Sequence, residues 1–225
     1  MPLLGTVYGG WYIPDDFELN ADSYIVSAGV GEDISFDLLL QDKYHCKILL
    51  LDPTPRAITH LKEVTQYYKD KTPFLSNIQP DYLSIIQHLH PDMSRLFLNN
   101  VGVWKEKDTL KFYYQTNPLY VSQTLIPNLY STRYTTVEVD RLSCLIEKTP
   151  DVLKLDIEGA EIDVLESMLE DNIFPRLLCV EFDLYLKGQD KTNRTYQMIE
   201  RLMHSGYKLV YHKNFNMVFQ LIKRN

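Results

Sequence analysis

No stretch of this 225-residue chain approaches the roughly 18 consecutive apolar residues that a membrane-crossing helix needs. Its first residues also lack a basic segment leading into an apolar one, so the expectation is a cytoplasmic protein without a membrane span. Positive charge is in short supply: 23 Lys and Arg stand against 30 Asp and Glu, for a net charge of -7, and the basic residues are scattered rather than gathered in a stripe. Nucleic-acid binding draws most of its affinity from neutralised phosphates, so no nucleic-acid partner is expected. Only three cysteines occur, Cys46, Cys144 and Cys179. They are odd in number and far apart, and two sit in apolar runs, which predicts reduced core residues instead of a disulfide framework. Low-complexity linkers are absent too. What is present, 45% hydrophobic residues over 225, is enough for one sizeable core, and a single domain over residues 1–225 is expected.

The most informative run is Leu153-Lys154-Leu155-Asp156-Ile157-Glu158-Gly159-Ala160-Glu161. Apolar residues at 153, 155 and 157 alternate with charges at 154, 156 and 158, which places the charges on one side of an extended segment. A buried carboxylate needs a partner, a metal or a cationic ligand. The carboxyl end of a parallel strand is also where α/β proteins place their chemistry. A Lys-Asp pair followed by an acidic helix start accounts for the run equally well when it is taken alone.

A second run tips that balance. Tyr24-Ile25-Val26-Ser27-Ala28-Gly29-Val30-Gly31-Glu32-Asp33 is an apolar strand ending in Gly-x-Gly ahead of a helical pattern. Two glycines there permit a sharp turn and the close approach of a ligand. A dinucleotide fingerprint wants a third Gly or Ala where Ile34 stands, and it offers a helix start to a pyrophosphate. Here Glu32 and Asp33 occupy that start, and two carboxylates repel phosphate. They suit a cation, and S-adenosylmethionine carries an ammonium and a sulfonium with no phosphate. Next, Lys47-Ile48-Leu49-Leu50-Leu51-Asp52-Pro53-Thr54-Pro55 is an apolar strand ending in an acid 21 residues after Gly31. Asp52 is placed to accept both hydroxyls of a ribose; the alternative is a turn residue ahead of two prolines.

These stretches, with Tyr8-Gly9-Gly10-Trp11-Tyr12-Ile13-Pro14 at the front, resemble the FkbM-type methyltransferases, a branch of the class I methyltransferase fold. The resemblance runs from Tyr8 to the strand at Leu178–Phe182. It implies an α/β fold, a three-layer Rossmann-like sandwich whose mostly parallel sheet ends in an antiparallel strand. It also implies S-adenosylmethionine as donor and a hydroxyl as the usual acceptor. The cofactor-binding residues would be Gly29, Val30, Gly31, Glu32, Asp33, Asp52, Pro53, Asn100, Val101 and Asp156. In such a fold the strand read over Arg95–Trp104 passes the adenine, which puts Asn100 at the base edge; a hydrogen-bonded asparagine at a strand end explains it as well.

The rest of the chain reads as alternating strand and helix. Apolar spacing predicts helices over Arg56–Lys69, over Pro80–Leu89, after Glu161 and through Tyr196–Met203, the last stopping at Ser205-Gly206. Tyr207–His212 and Met217–Ile222 are expected to form a closing hairpin. Residues 1–22 read as an N-terminal extension packing on or near the site. Residues 105–140 read as a β insert on the acceptor side, where Tyr114, Tyr120, Ser122, Gln123 and Tyr130 would meet a sugar.

Methyl transfer to a hydroxyl needs alignment and a route for the acceptor's proton. Asp156, Glu181, Lys154 and His212 are the candidate catalytic residues. Asp156, Glu181 and Asp183 would be the ligands of Mg2+ or Mn2+ if a metal lowers the hydroxyl pKa instead. The leading expectation is an O-methyltransferase of a sugar hydroxyl in a glycan, glycolipid or glycosylated metabolite. A polyketide-type or other small-molecule hydroxyl, an RNA 2′-hydroxyl and an inactive cofactor-binding partner domain are the alternatives.

Overall fold

The computed structural model describes residues 1–76, 78–114, 123–124, 133–183 and 192–222. A short antiparallel hairpin, β1 (Leu3–Leu4) and β2 (Trp11–Tyr12), comes first. The chain then alternates through β3 (Tyr24–Ala28), α1 (Ser35–Tyr44), β4 (Lys47–Leu51), α2 (Pro55–Asp70), α3 (Tyr82–Ile86) and β5 (Leu96–Asn99). A second small sheet follows, built from β6 (Gly102–Trp104), β7 (Asp108–Tyr114), β8 (Gln123–Thr124) and β9 (Tyr134–Arg141). After α4 (Leu142–Leu145) the main sheet resumes with β10 (Val152–Leu155), α5 (Glu161–Glu170), β11 (Leu177–Glu181), α6 (Arg194–His204), β12 (Tyr207–Lys213) and β13 (Asn216–Leu221).

The main sheet has seven strands in the order β12-β13-β11-β10-β3-β4-β5, and β13 is antiparallel to both its neighbours. The chain runs outward from β3 to β5, then crosses back to lay β10 against β3. That reversal opens a crevice at the carboxyl ends of β3 and β10, the position where open α/β sheets bind ligands.

Strand alternation divides the core into two layers. Ile25, Ile48, Leu50 and Val152 pack with Phe36 and Leu40 of α1 and Val64 of α2. Val26, Ala28, Leu153, Leu155 and Val180 pack with Leu165 and Met168 of α5 and Leu202 of α6. Local chemistry sets the helix ends. Thr54 caps α2 by accepting from the Ala57 N–H, with Pro55 in the first position, where its missing N–H costs nothing. Gly206, at φ 101, follows α6.

Two expectations change. The strand read over Arg95–Trp104 is two strands in two sheets, because β5 pairs with β4 whereas β6 pairs with β9. Asn100 sits at the break; with its side-chain amide turned so that Nδ2 faces the Asp52 and Pro53 carbonyls, it donates to them at 3.3 and 3.2 Å and braces the turn. The helix read over Pro80–Leu89 contracts to Tyr82–Ile86.

Candidate active site

The glycine turn after β3 is locked to both neighbouring strands. Gly29 has φ +74 and donates its N–H to the Leu51 carbonyl at 2.9 Å. A Cβ on it would lie 1.7 Å from the Asp156 carbonyl oxygen, so only glycine allows β3 and β10 to end this close together. Gly31, at φ +52, donates its N–H to Asp52 Oδ2 at 2.9 Å. The other Asp52 oxygen accepts from the Thr54 N–H at 2.8 Å and hydroxyl at 2.6 Å. Burial raises the Asp52 pKa, and these donors oppose the rise. Asp52 therefore clamps the loop to β4 before any ligand is considered.

Beyond the loop lies a cavity of about 840 Å³. It is lined by Gly29, Val30, Gly31, Glu32, Asp33, Asp52 and Pro53 on one side and by Asp156, Ile157 and Glu158 on the other. A Cβ on Gly31 would meet nothing within 4 Å, so the loop leaves open space there.

Lys154 is the one basic residue among the described residues of this wall, and it is committed. Alternation turns it toward α1, at 2% exposure, where its ammonium donates to the Gly29 carbonyl at 3.0 Å and pairs with Asp156 Oδ2 at 3.4 Å. Asp37 of α1 is buried on the same side and accepts from the Ser27 hydroxyl at 2.5 Å. Burial works against the Lys154 charge, but the carboxylates of Asp156, Asp37 and Glu181 outweigh it and hold its pKa above the ordinary value. The Asp37 carboxyl is pushed up by burial to about 6, even with Lys154 and Ser27 pulling it down.

On the opposite side of the loop, carboxyl groups crowd together. Burial first, then the charge of Asp156 and a hydrogen bond with it, pushes the Glu181 pKa well above the carboxylate range. The proton that Glu181 keeps lets it donate a hydrogen bond to Asp156. Glu161, 1% exposed at the start of α5, accepts from the N–H groups of Ile157 at 3.2 Å and Gly159 at 3.0 Å. It holds the turn that carries Asp156 and Glu158, in which Glu158 has φ 57 and Gly159 φ 108. Burial and the nearby Asp183 raise the Glu161 pKa to about 8. A carboxyl raised from 4.5 to about 8 binds its proton more tightly in the folded state, so its stabilising contribution is whole below pH 4.5 and is lost as pH rises to about 8. Glu161→Gln, which keeps the acceptor oxygen and cannot ionise, should gain on wild type by a few kcal/mol at pH 8.5. It should gain little at pH 5, as read by urea unfolding at the two pH values.

A second cavity, of about 960 Å³, opens between the β1–β2 hairpin and the β12–β13 hairpin. Its lining includes Tyr12, Glu181, Tyr211, Lys213, Asn214 and Asn216. Tyr8, Asp156 and Glu158 line both cavities and so form the boundary between them. Partial desolvation, then the charges of Asp156, Glu158, Glu181 and Asp33, raises the Tyr8 hydroxyl pKa to about 12.

The structure does not gather every residue that the sequence nominated. Glu32 pairs with Arg56 at 3.0 Å. The Asp33 carboxylate is taken up by the Thr6 hydroxyl and by the Ser35 N–H and hydroxyl, and so serves to fasten the N-terminal segment to α1. Asn100 and Val101 are not among the cavity-lining residues; Gly102 and Val103 take that place because the strand breaks at Asn100. His212 is exposed and bonds the Asn214 carbonyl at 2.7 Å, away from the cavity that its neighbours Tyr211 and Lys213 line. Strand alternation is the reason. Among the described residues, Asp156, Glu181 and Asp183 included, no group of three His, Cys, Asp or Glu is arranged to hold a metal ion. Tyr120, Ser122 and Tyr130 lie outside the described residues, as does the Gln123 side chain. The sequence reading missed Tyr8, Glu158, Glu161, Tyr211 and Lys213. The period-two pattern of Tyr211-His212-Lys213 held the signal for two of them, because facing Asn216 and Glu181 inward puts 211 and 213 on their side.

This sheet order, the antiparallel β13 and the cavity at the carboxyl ends of β3 and β10 define a class I methyltransferase fold. Residues 19–209 match the Methyltransferase FkbM domain family, and the chain belongs to it. No curated protein matches the sequence. Among solved structures the chain is similar to the methyltransferase FkbM from Methylobacillus flagellatus KT, at 14% identity and a TM-score of 0.53. That likeness covers 91% of this chain and 45% of the other, so the chain spans less than half of that protein's length. The Methanococcus jannaschii fibrillarin pre-rRNA processing protein is similar at 12% identity and a TM-score of 0.44, over 92% of this chain and 69% of that one. M. capricolum TrmK, solved with S-adenosyl-homocysteine, is similar at 10% identity and 0.41, over 92% and 65%. At these identities the likeness is one of fold alone.

Proposed function

We propose that the chain is an S-adenosylmethionine-dependent O-methyltransferase whose acceptor is a sugar hydroxyl. The observation that carries this reading is the pair of cavities meeting at Tyr8, Asp156 and Glu158. A donor in the first and an acceptor in the second would face each other across that boundary, which is the alignment an in-line displacement requires. The first cavity suits this donor chemically. Glu32, Asp33, Asp52, Asp156 and Glu158 line it, and Lys154, the lysine among its described lining residues, is engaged by Gly29 and Asp156, so its charge is already committed while the carboxylates would repel a phosphate. When bound, S-adenosylmethionine supplies an electrophilic methyl group on a sulfonium. Asp52 would hold the loop and offer its oxygens to the ribose. Asp156, at the boundary of the two cavities and beside Glu181, would take the acceptor's proton as the O–CH3 bond forms and the S–CH3 bond breaks. Lys154 would hold Asp156 from behind. The sugar preference comes from family membership and from the polar and aromatic lining of the second cavity.

The test is calorimetry with S-adenosylhomocysteine and with ATP, followed by labelled methyl transfer onto a panel of oligosaccharides. Micromolar binding of the first and none of the second is expected. Asp156→Asn should lower turnover by at least ~100-fold, in line with the loss of a general base. A fully active Asp156→Asn variant, or equal affinity for ATP, refutes the assignment.

A further inference from the structure

We propose that the cavity between the two hairpins, the acceptor side of the reading above, selects an uncharged sugar ring with Tyr12 and Tyr211 as its aromatic wall. The inference rests on that methyl-transfer reading and adds which residues hold the acceptor and what they exclude.

Three features of the cavity support it. Tyr12 of β2 and Tyr211 of β12 both line it, and their rings stack with centroids 4.0 Å apart and an interplanar angle of 26°. Such a pair joins the hairpins into one wall and offers aromatic surface to the apolar face of a ring. Planar hydrogen-bonding groups surround that wall. The carboxyl groups of Asp156, Glu158 and Glu181 and the amides of Asn214 and Asn216 line the same space. The Asn216 Oδ1 atom is buried and has no hydrogen-bond partner among the described residues. A buried acceptor left open is costly, and a ligand hydroxyl would satisfy it. Charge supplies the exclusion. Three carboxyl groups face a single lining lysine, Lys213, so the cavity stays negative even with a proton on Glu181. A uronate, sulfate or phosphate on the acceptor would be repelled; a neutral hexose or deoxyhexose would not.

Among the described residues of the 105–140 insert, Phe112 lines the donor cavity and none lines the second one.

Saturation-transfer NMR on the full chain, loaded with S-adenosylhomocysteine, tests the proposal with a mixture of neutral methyl hexosides and 6-deoxyhexosides and, separately, with methyl glucuronide. Transfer to at least one neutral glycoside is expected, with the glucuronide at least about tenfold weaker at pH 7. Tyr211→Ala should remove the sugar signal, while Tyr211→Phe, which keeps the ring, should retain it. Affinity for S-adenosylhomocysteine, measured on each variant, reports the donor cavity and folding, because Tyr211 does not line that cavity. If S-adenosylhomocysteine does not bind the wild type, the methyltransferase reading itself falls. Donor binding without any neutral sugar signal overturns this inference alone, as does a signal that survives Tyr211→Ala or a glucuronide that binds as well as the neutral rings.

Discussion

Gly29→Ala should eliminate measurable donor binding and cost about 3–5 kcal/mol of folding stability. Two penalties add. A left-handed φ of +74 costs an L-residue on the order of 1–2 kcal/mol. The new Cβ would also lie 1.7 Å from the Asp156 carbonyl oxygen, a backbone atom that cannot swing aside. Relief requires β3 and β10 to part at their carboxyl ends, which pulls both walls of the first cavity out of place. Gly31→Ala is the control: its φ of +52 carries the same kind of strain, but its Cβ meets nothing within 4 Å. It should cost about 1–2 kcal/mol and fold normally. Thermal melts with S-adenosylhomocysteine titrations on both variants check the contrast, and similar losses at the two positions would show that the clash at Gly29 is unimportant.

Lys154→Met should destabilise the protein by about 3–5 kcal/mol, because it leaves a buried charge without its partner. The methionine fills nearly the same volume, so packing contributes little. What is lost is the ammonium that holds the Gly29 carbonyl and Asp156 and offsets Asp37. The pH dependence gives the sign. Asp37 already has its pKa pushed up by burial to about 6, against the pull of Lys154. Removing that pull raises it further. The folded variant then binds the Asp37 proton more tightly than the unfolded chain does, so its stability is greatest at low pH and declines as pH climbs through the raised pKa. Urea unfolding should find the variant's deficit smaller at pH 5 than at pH 8. A second change, Asp37→Asn, should recover part of the loss at pH 8.

Much of this arrangement was readable from the chain, and the misses share a cause. The strands ending at Ala28, Leu51 and Leu155 announced themselves because each is an apolar run stopped by glycine or acid, and the parallel sheet follows from those stops. The Lys154 alternation also showed that one charge must point inward, though not that Asp37, 117 positions earlier, would meet it across a helix. Local pattern gives direction and leaves the partner open. The same limit explains Asn100 and His212. Asn100 interrupts an apolar run, but whether it faces a ligand or braces a turn depends on Asp52 and Pro53, which lie far away in sequence. His212 attracted notice as a titratable residue, while the choice between 211 and 212 belongs to the register of β12 against β13, and that pairing carries an irregularity between Leu209 and Tyr211. The 105–140 insert was read as an acceptor wall because it is polar and aromatic, and Tyr120, Ser122 and Tyr130, on which that reading leans, lie outside the described residues.

The family match begins at residue 19, yet Tyr8, which stands between the two cavities, and Tyr12, half of the aromatic wall, precede it. On the reading proposed above, most of the donor's surroundings belong to the seven-stranded sheet, whereas Tyr8 and Tyr12 come from a leading hairpin pinned through Thr6 to Asp33. On that reading, exchanging the hairpin would alter what becomes methylated while the strands beneath the donor stay as they are.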